Sequence, residues 1–318
     1  MQYIKCACLS FFVFASCVFV FAKKSFIVRS DYTLQVVGGE SINVIANRLE
    51  QNNIIDNATF FKVFFKAKNI FNKCYKVHIG EYELLSGQHF NDVIDIVCNG
   101  RVIQYSITIP EGLYTSQIID IINNTNELGG DKIQNQDVDE GALLPETYNF
   151  AKGFDRKELL MRMSNALQSF LEIEWKKRDV DIPLKNKYEA LILASIVEAE
   201  AKNDAERPII ASVYINRLRK KMRLQADPTT IYEITKGKYK MPRLLTLKDL
   251  QIKGEWNTYR KYGLPKTPIC NAGKASILAT LHPARTDYLY FVAKKDLSGH
   301  LFAKDFQEHF RNKSTTKN

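Results

Sequence analysis

Along this chain of 318 residues the hydrophobic and polar positions fall into three successive textures. The first is an unbroken apolar run, CACLSFFVFASCVFVFA at residues 6–22, with 17 uncharged residues between Lys5 and the pair Lys23 and Lys24. The second is a weak repeat. VVGGESINVIANRL, LLSGQHFNDVIDIV and IPEGLYTSQIIDII align on Gly39, Gly87 and Gly112, and in each an apolar residue recurs six and ten positions later: Ile45 and Leu49, Val93 and Val97, Ile118 and Ile122. A four-residue spacing marks one helix face, so each unit predicts a short strand, a turn whose glycine accepts positive φ, and a short amphipathic helix. Alternation in QYSITI predicts a strand over Gln104–Ile109, and Asn99-Gly100 ahead of it reads as a hairpin-type turn.

The third texture is that of long helices. DRKELLMRMSNALQSFLEIEWKKRD carries Leu159, Leu160, Met163, Leu167, Phe170 and Leu171 at three- and four-residue steps, with Asp155 as its start signal. YEALILASIVEAEAK predicts a second helix. A third begins near Asp204, tolerates Pro208 in its first turn, and presents Ile210, Val213, Tyr214 and Leu218 on one side. Between the repeat and these helices, NNTNELGGDKIQNQDVDEG is polar, carries Gly129 and Gly130, and reads as an interdomain connection.

The apolar run at 6–22 is a membrane signal, at the short end of the roughly 17 to 25 residues that span a bilayer. An uncleaved anchor and a cleavable signal peptide both fit it, and the anchor is the expectation carried forward. Lysines on both sides leave its orientation open by charge alone. Three of the six cysteines, Cys6, Cys8 and Cys17, lie inside it, which leaves Cys74, Cys98 and Cys270 too scattered for a disulfide framework or a zinc site. One bridge is the most they could form, and buried free thiols are expected. No metal site or cofactor is indicated: the five histidines lack ligand spacing. The 45 basic and 35 acidic residues give +10, which suits an anionic polymer or membrane surface. With no RNP, zinc-finger or helix-turn-helix signature behind an export signal, a nucleic-acid partner is excluded.

Candidate chemistry sits where the second helix ends, in ASIVEAEAK. On a wheel of about 100° per residue Glu198 shares the face of Leu191, Ala194 and Ser195, while Glu200 lies nearly opposite with Leu193, Ile196 and Val197. The two cannot share one site. Small neighbours beneath Glu198 leave room for a ligand, whereas Glu200 stands over bulky ones, so Glu198 is the candidate acid. Apolar surroundings are expected to raise such a carboxyl toward the pH at which it serves as acid and then base. A solvated helix-end charge is the plainer alternative.

The segment that follows, AERPIIASVYINRLRKKMRLQADPTTIY, changes the reading. Taken with ASIVEAEAK, VYINRL and MRLQADPTTIY, with LLPETYNF upstream and EWNTYRKYGLPKTPICNAG and ATLHPARTDYLYFVA downstream, the chain resembles the endolytic murein transglycosylase family, MltG or YceG-like, over nearly its whole length. That resemblance implies a catalytic glutamate at the first position of the acidic pair, Glu198. It also implies cleavage of the bond between N-acetylmuramic acid and N-acetylglucosamine within glycan strands, with a 1,6-anhydro product. The muramoyl C6 hydroxyl would be the nucleophile, so one carboxylate suffices. Two alternatives stand beside it: a hydrolytic muramidase with Asp227 as second carboxylate, and a non-catalytic peptidoglycan-binding scaffold.

Gln225, Asp227 and Thr229 in LQADPTT, and Asn257 and Tyr259 in WNTY, are the candidate substrate-binding residues, although each also suits a loop or a packed core. Asn216, beside Arg217 inside a predicted helix, asks for a reason and is assigned to supporting the site by hydrogen bonds. His282 is read as structural, and Cys270 in ICNAG departs from the smaller or polar residues expected there. The resulting expectation is an α+β chain: a cytoplasmic N-terminus at 1–5, a transmembrane anchor at 6–22, a small LysM-like α/β module at 23–125, a linker at 126–142, a mainly helical lysozyme-like catalytic domain with some strands at 143–310, and a disordered tail at 311–318. Its partners would be peptidoglycan glycan strands, the plasma membrane and peptidoglycan synthases, with the catalytic domain on the extracytoplasmic side.

Overall fold

The computed structural model describes residues 27–72, 77–134 and 138–316. The apolar run at 6–22 lies outside them; among the described residues no helix is long and apolar enough to cross a membrane. The chain is of mixed helix and strand, as expected, and divides into two units, each with its own core. One comprises the described residues through Ser106 together with 127–130 and 149–154; the other comprises 107–126, 131–148 and 155 onward. The polar stretch expected as a linker at 126–142 is therefore shared between the units.

In the first unit, β1 (Tyr32–Val36) and β2 (Gly80–Leu84) pair antiparallel, Tyr32 opposite Leu84 and Val36 opposite Gly80. Helices α1 (Ile42–Gln51) and α2 (Ala58–Asn72) come between them in sequence, and α3 (Phe90–Cys98) follows. The repeat grammar is realised. Gly39 and Gly87 adopt φ of 83° and 86°, and the residues six and ten places on, Ile45, Leu49, Val93 and Val97, are all buried in one core with Leu34, Tyr82 and Phe90. Asn99-Gly100 is not a hairpin turn. It terminates α3: Gly100 takes φ 65° and the Arg101 N–H returns to the Ile96 carbonyl at 3.1 Å, which closes the helix end and leaves β3 (Gln104–Thr108) to start afresh. Cys98 is disulfide-bonded, which corrects the expectation of a free thiol there.

The second unit is built around α6 (Lys187–Glu200), whose residues Ala190 through Val197 are all buried. A helix apolar on every side is a central one. Helices α5 (Arg156–Lys177), α7 (Arg207–Arg219), α8 (Asp227–Thr235) and α9 (Lys274–Leu281) all pack on it. Asp155 caps α5 by accepting from Lys157 N and Glu158 N, and Asn186 caps α6 by accepting from Glu189 N. Helix α4 (Thr115–Asn123) completes the third repeat, with Gly112 at φ 76° and Ile118 and Ile122 buried. Strand β4 (Thr147–Ala151), whose residues from Asn149 on belong to the first unit, precedes α5, and the hairpin β5 (Tyr290–Ala293) with β6 (His300–Ala303) packs against α7 and α10 (Phe306–Thr316). Residues 311–316, expected as frayed tail, continue α10, whose start is fixed by ring contacts of Phe306 and His309 with Tyr290 and whose last turns are tied by the Asn312 amide to the Phe302 carbonyl at 3.2 Å.

Candidate active site

The two carboxylates at the end of α6 do part company, as the wheel argument requires, but the open side is the other one. The small residues beneath Glu198 do not leave a vacancy. Arg207, at the start of α7, fills the place: its Nη2 reaches Glu198 Oε1 at 2.9 Å and Glu111 Oε2 at 3.4 Å, and its Nε donates to Ser276 Oγ at 2.8 Å. Glu198 Oε2 accepts from the Gly273 N–H at 3.0 Å. Both oxygens are thus occupied, and the Glu198 side chain is only 6% exposed. The expectation of a carboxyl beside apolar side chains and facing a ligand is corrected here: its partners are a cation and a backbone donor.

Glu200 is the last residue of α6 and faces a cleft of about 340 Å³, lined also by Lys202, Tyr214, Arg217, Gln225, Asp227, Tyr259, Phe291 and His300. The Tyr214 hydroxyl donates to Glu200 Oε1 at 3.0 Å. Burial against α7 and the cleft walls pushes the Glu200 carboxyl from 4.5 up to about 7, with the nearby Asp227 charge adding to the rise and the Tyr214 hydrogen bond, Lys202 and Arg217 opposing it.

Arg217 gives the cleft a buried positive charge. Its guanidinium is held by carbonyls, Nε to Leu289 at 2.6 Å and Nη1 to Leu224 at 2.6 Å, and lies 5.2 Å from the Tyr290 ring centroid. Among the described residues it has no carboxylate partner, and burial lowers its affinity for its proton. The facing wall is a pair of segments clamped by two threonines. Thr258 Oγ1 accepts from Ala226 N at 3.0 Å, Thr229 Oγ1 donates to the Ala226 carbonyl at 2.6 Å, and the two hydroxyls share a bond of 2.8 Å. This clamp turns Leu224 and Ala226 inward and sends Gln225 and Asp227 outward. Gln225 is held at φ 50°, a left-handed conformation that a glutamine adopts only under constraint. The Tyr259 hydroxyl donates to Asp227 Oδ1 at 2.6 Å, and burial together with that bond raises the phenol above its usual range.

Of the sequence candidates, Gln225, Asp227 and Tyr259 therefore meet in one cleft. Thr229 and Asn257 stand behind it, fully buried: Asn257 donates to the Leu250 and Ile252 carbonyls at 3.2 and 2.7 Å and accepts from Thr230 Oγ1 at 2.9 Å. They build the wall rather than touch what it encloses. Asn216 donates to the Thr286 and Tyr288 carbonyls at 2.8 and 3.1 Å, holding the segment that leads into β5, whose Phe291 lines the cleft. Asn216 itself borders a separate cavity of about 620 Å³, with Arg178, Ser212 and Arg219, that takes no other candidate. His282 lies 3.2 Å from Asp179, outside the cleft, and Cys270 is a buried free thiol against the Ser195 carbonyl.

Sequence reasoning passed over Glu200, Tyr214, Lys202 and His300. For Glu200 a signal existed: α6 is buried from Ala190 through Val197, so a carboxyl three residues further on stands close to the core. No signal existed for Phe291 and His300, which arrive from a hairpin about ninety residues away in sequence. Among the described residues no three His, Cys, Asp or Glu side chains gather closely enough to hold a metal ion.

Residues 34–315 match the YceG-like family. The endolytic murein transglycosylase of Bacillus subtilis (strain 168) is 32% identical over 314 residues, covering 88% of this chain and 83% of that one. The endolytic murein transglycosylase of Streptococcus pneumoniae (strain ATCC BAA-255 / R6) is 23% identical over 88% of this chain, which spans 57% of that longer protein. The crystal structure of a YceG-like protein from Listeria monocytogenes superposes with a TM-score of 0.54 at 28% identity, covering 89% of this chain and 99% of the other.

Proposed function

The chain belongs to the YceG-like family, and on that premise we propose that it is a peptidoglycan lytic transglycosylase whose acid and base is Glu200. It cleaves the bond between N-acetylmuramic acid and N-acetylglucosamine inside glycan strands. The observation that carries the assignment of Glu200 is a carboxyl raised to about 7 in the cleft that also holds Gln225, Asp227 and Tyr259. Near neutral pH such a group is protonated often enough to donate and, once ionised, basic enough to take a proton back.

The sequence of events follows from that one group. Glu200 protonates the bridging oxygen as the bond to the anomeric carbon of the muramoyl residue breaks. The carboxylate left behind is stabilised by the Tyr214 hydroxyl and by the nearby charge of Arg217, neither of which has to reorganise. The muramoyl C6 hydroxyl attacks the anomeric carbon and passes its proton to Glu200, which restores the acid. One strand end becomes a 1,6-anhydro sugar, the other a free hydroxyl, and no water is consumed. Asp227, fixed by Tyr259, supplies negative charge to the same cleft, where positive charge develops at the anomeric carbon. The hydrolase and scaffold alternatives are not favoured by relatives named as transglycosylases.

Three finer elements belong to the same proposal. Residues 6–22 anchor the chain once in the plasma membrane with the cleft outside the cytoplasm. The strand, helix, helix, strand order of β1, α1, α2 and β2, with antiparallel strands, supports a LysM-like glycan-contacting module. Cleavage beside peptidoglycan synthases would end strand elongation. The anchor is tested by carbonate extraction of membranes carrying the full chain and a chain lacking 6–22; release of the full chain would remove it.

The chemistry is tested by digesting purified sacculi with the wild type, Glu200→Gln and Glu198→Gln and weighing the products, an anhydro end being lighter than a reducing end by one water. Glu200→Gln should lose about 10²-fold or more of its rate, the usual contribution of a positioned acid. Anhydro ends released by that variant at the wild-type rate would overturn the assignment.

A further inference from the structure

We propose that the loop between α8 and Trp256 is a second membrane contact, a rigid knob that seats two leucines in an anionic lipid headgroup layer. The loop, residues 236–255, is long and nearly without regular structure, yet its centre is tied. The Asp249 carboxylate, itself buried, accepts from Arg243 Nη1 and Nη2 at 2.6 and 3.0 Å and from Thr246 N and Oγ1, both at 2.7 Å. The loop's foot is held by the buried Asn257 amide on the Leu250 and Ile252 carbonyls. Residues 243–249 therefore form a closed lasso, and the lasso turns Leu244 and Leu247 outward, 90% and 83% exposed.

One exposed leucine is ordinary. Two, three residues apart and held out by an internal polar network, are not the product of slack chain. The same segment carries Lys238, Lys240, Lys248 and Lys253, all exposed, whose ammonium groups make no hydrogen bond or ion pair among the described residues. The segment's one arginine is spent on the lasso, where it neutralises Asp249, and its other carboxylate, Glu255 at the foot, is paired with Lys266 at 2.5 Å, so the charges left without a partner are positive.

That composition selects the partner. Flexible ammonium groups on long stems follow a fluid layer of phosphates, whereas recognition of a fixed carboxylate or phosphate favours the forked guanidinium. Apolar side chains flanked by lysines are the elements of interfacial binding, the former reaching the acyl boundary and the latter the anionic headgroups. An acidic groove on another protein is the competing class, and the test below separates it.

The experiment uses the full chain with vesicles of phosphatidylcholine alone or mixed with phosphatidylglycerol, with and without brominated acyl chains that quench tryptophan on contact. Leu247→Trp reports on the knob; Val180→Trp, at a position 88% exposed between α5 and α6, is the control; the wild-type signal of Trp175 and Trp256 is subtracted. Expected is a blue shift of the indole introduced by Leu247→Trp, with quenching at least about two-fold above the control in phosphatidylglycerol vesicles, lost at high salt and in Leu247→Trp chains that also carry Lys240→Glu and Lys248→Glu. Emission from position 247 that stays water-like, or quenching equal at 180 and 247, would overturn the proposal, as would quenching indifferent to headgroup charge. Because the readout is lipid contact and not glycan cleavage, it succeeds or fails independently of the assignment of Glu200.

Discussion

Replacing Glu200 by glutamine isolates the cost of placing a carboxylate in the cleft. Glutamine keeps the volume, and its carbonyl oxygen can still accept from the Tyr214 hydroxyl, so only the ionisable proton is removed. A carboxyl carried from 4.5 to about 7 is one whose ionisation costs roughly 3 kcal/mol more in the folded chain than in the unfolded one, at about 1.4 kcal/mol per pH unit. The sign is the reverse of that for a salt-bridged acid. Below 4.5 both states hold the proton and the group contributes no difference; between 4.5 and about 7 the unfolded chain has released it and the folded chain has not, so stability falls as pH rises through that window and levels off above it. Glu200→Gln should therefore be more stable than wild type by about 3 kcal/mol at pH 8 relative to their difference at pH 4, while losing about 10²-fold or more in cleavage. Both tryptophans, Trp175 and Trp256, lie in the second unit, so denaturant unfolding followed by their fluorescence reports on the unit that contains the cleft. A stability difference that does not change with pH would refute the argument that burial poises this carboxyl, whatever the activity of the variant.

Three further outcomes are expected. Glu198→Gln leaves Arg207 without its buried partner and should destabilise the second unit by about 3 kcal/mol in the same unfolding assay while its residual digest still yields anhydro ends; an unchanged midpoint would mean the pair is idle. Gln225→Gly relieves a left-handed backbone and should be neutral to about 1 kcal/mol stabilising, yet raise KM on glycan strands, since the outward amide is lost; unchanged kinetics would remove Gln225 from the cleft's work. Tyr259→Phe frees Asp227 from its hydroxyl bond and should lower kcat about tenfold without shifting the product from anhydro to reducing ends; a reducing-end product would reinstate the hydrolytic route through Asp227.

Much of the architecture is local and was legible. The repeat of Gly39, Gly87 and Gly112 with apolar residues six and ten places on predicted three turns and three helices that form, because positive φ and a single buried face are properties of short stretches of chain. The start of α5 followed from Asp155 for the same reason, while the helix expected to begin near Asp204 opens with a 3₁₀ turn over Asp204–Glu206 and becomes α-helical at Arg207. Asn99-Gly100 shows the limit: the same dipeptide can close a hairpin or a helix, and the Ile96 carbonyl, which accepts from the Arg101 N–H, decided it.

The site divides along the same line. The sequence pointed to the end of an apolar helix and named Gln225, Asp227, Thr229, Asn257, Tyr259 and Asn216, of which Gln225, Asp227 and Tyr259 meet in the cleft; that Glu198 and Glu200 face opposite ways followed from spacing alone. It could not tell which side was open. That depended on Arg207 crossing from α7 to occupy Glu198, on Tyr214 reaching back to Glu200, and on the β5–β6 hairpin supplying Phe291 and His300. A carboxyl's readiness to give up a proton is set by what surrounds it, and here those surroundings come from parts of the chain that only folding brings together.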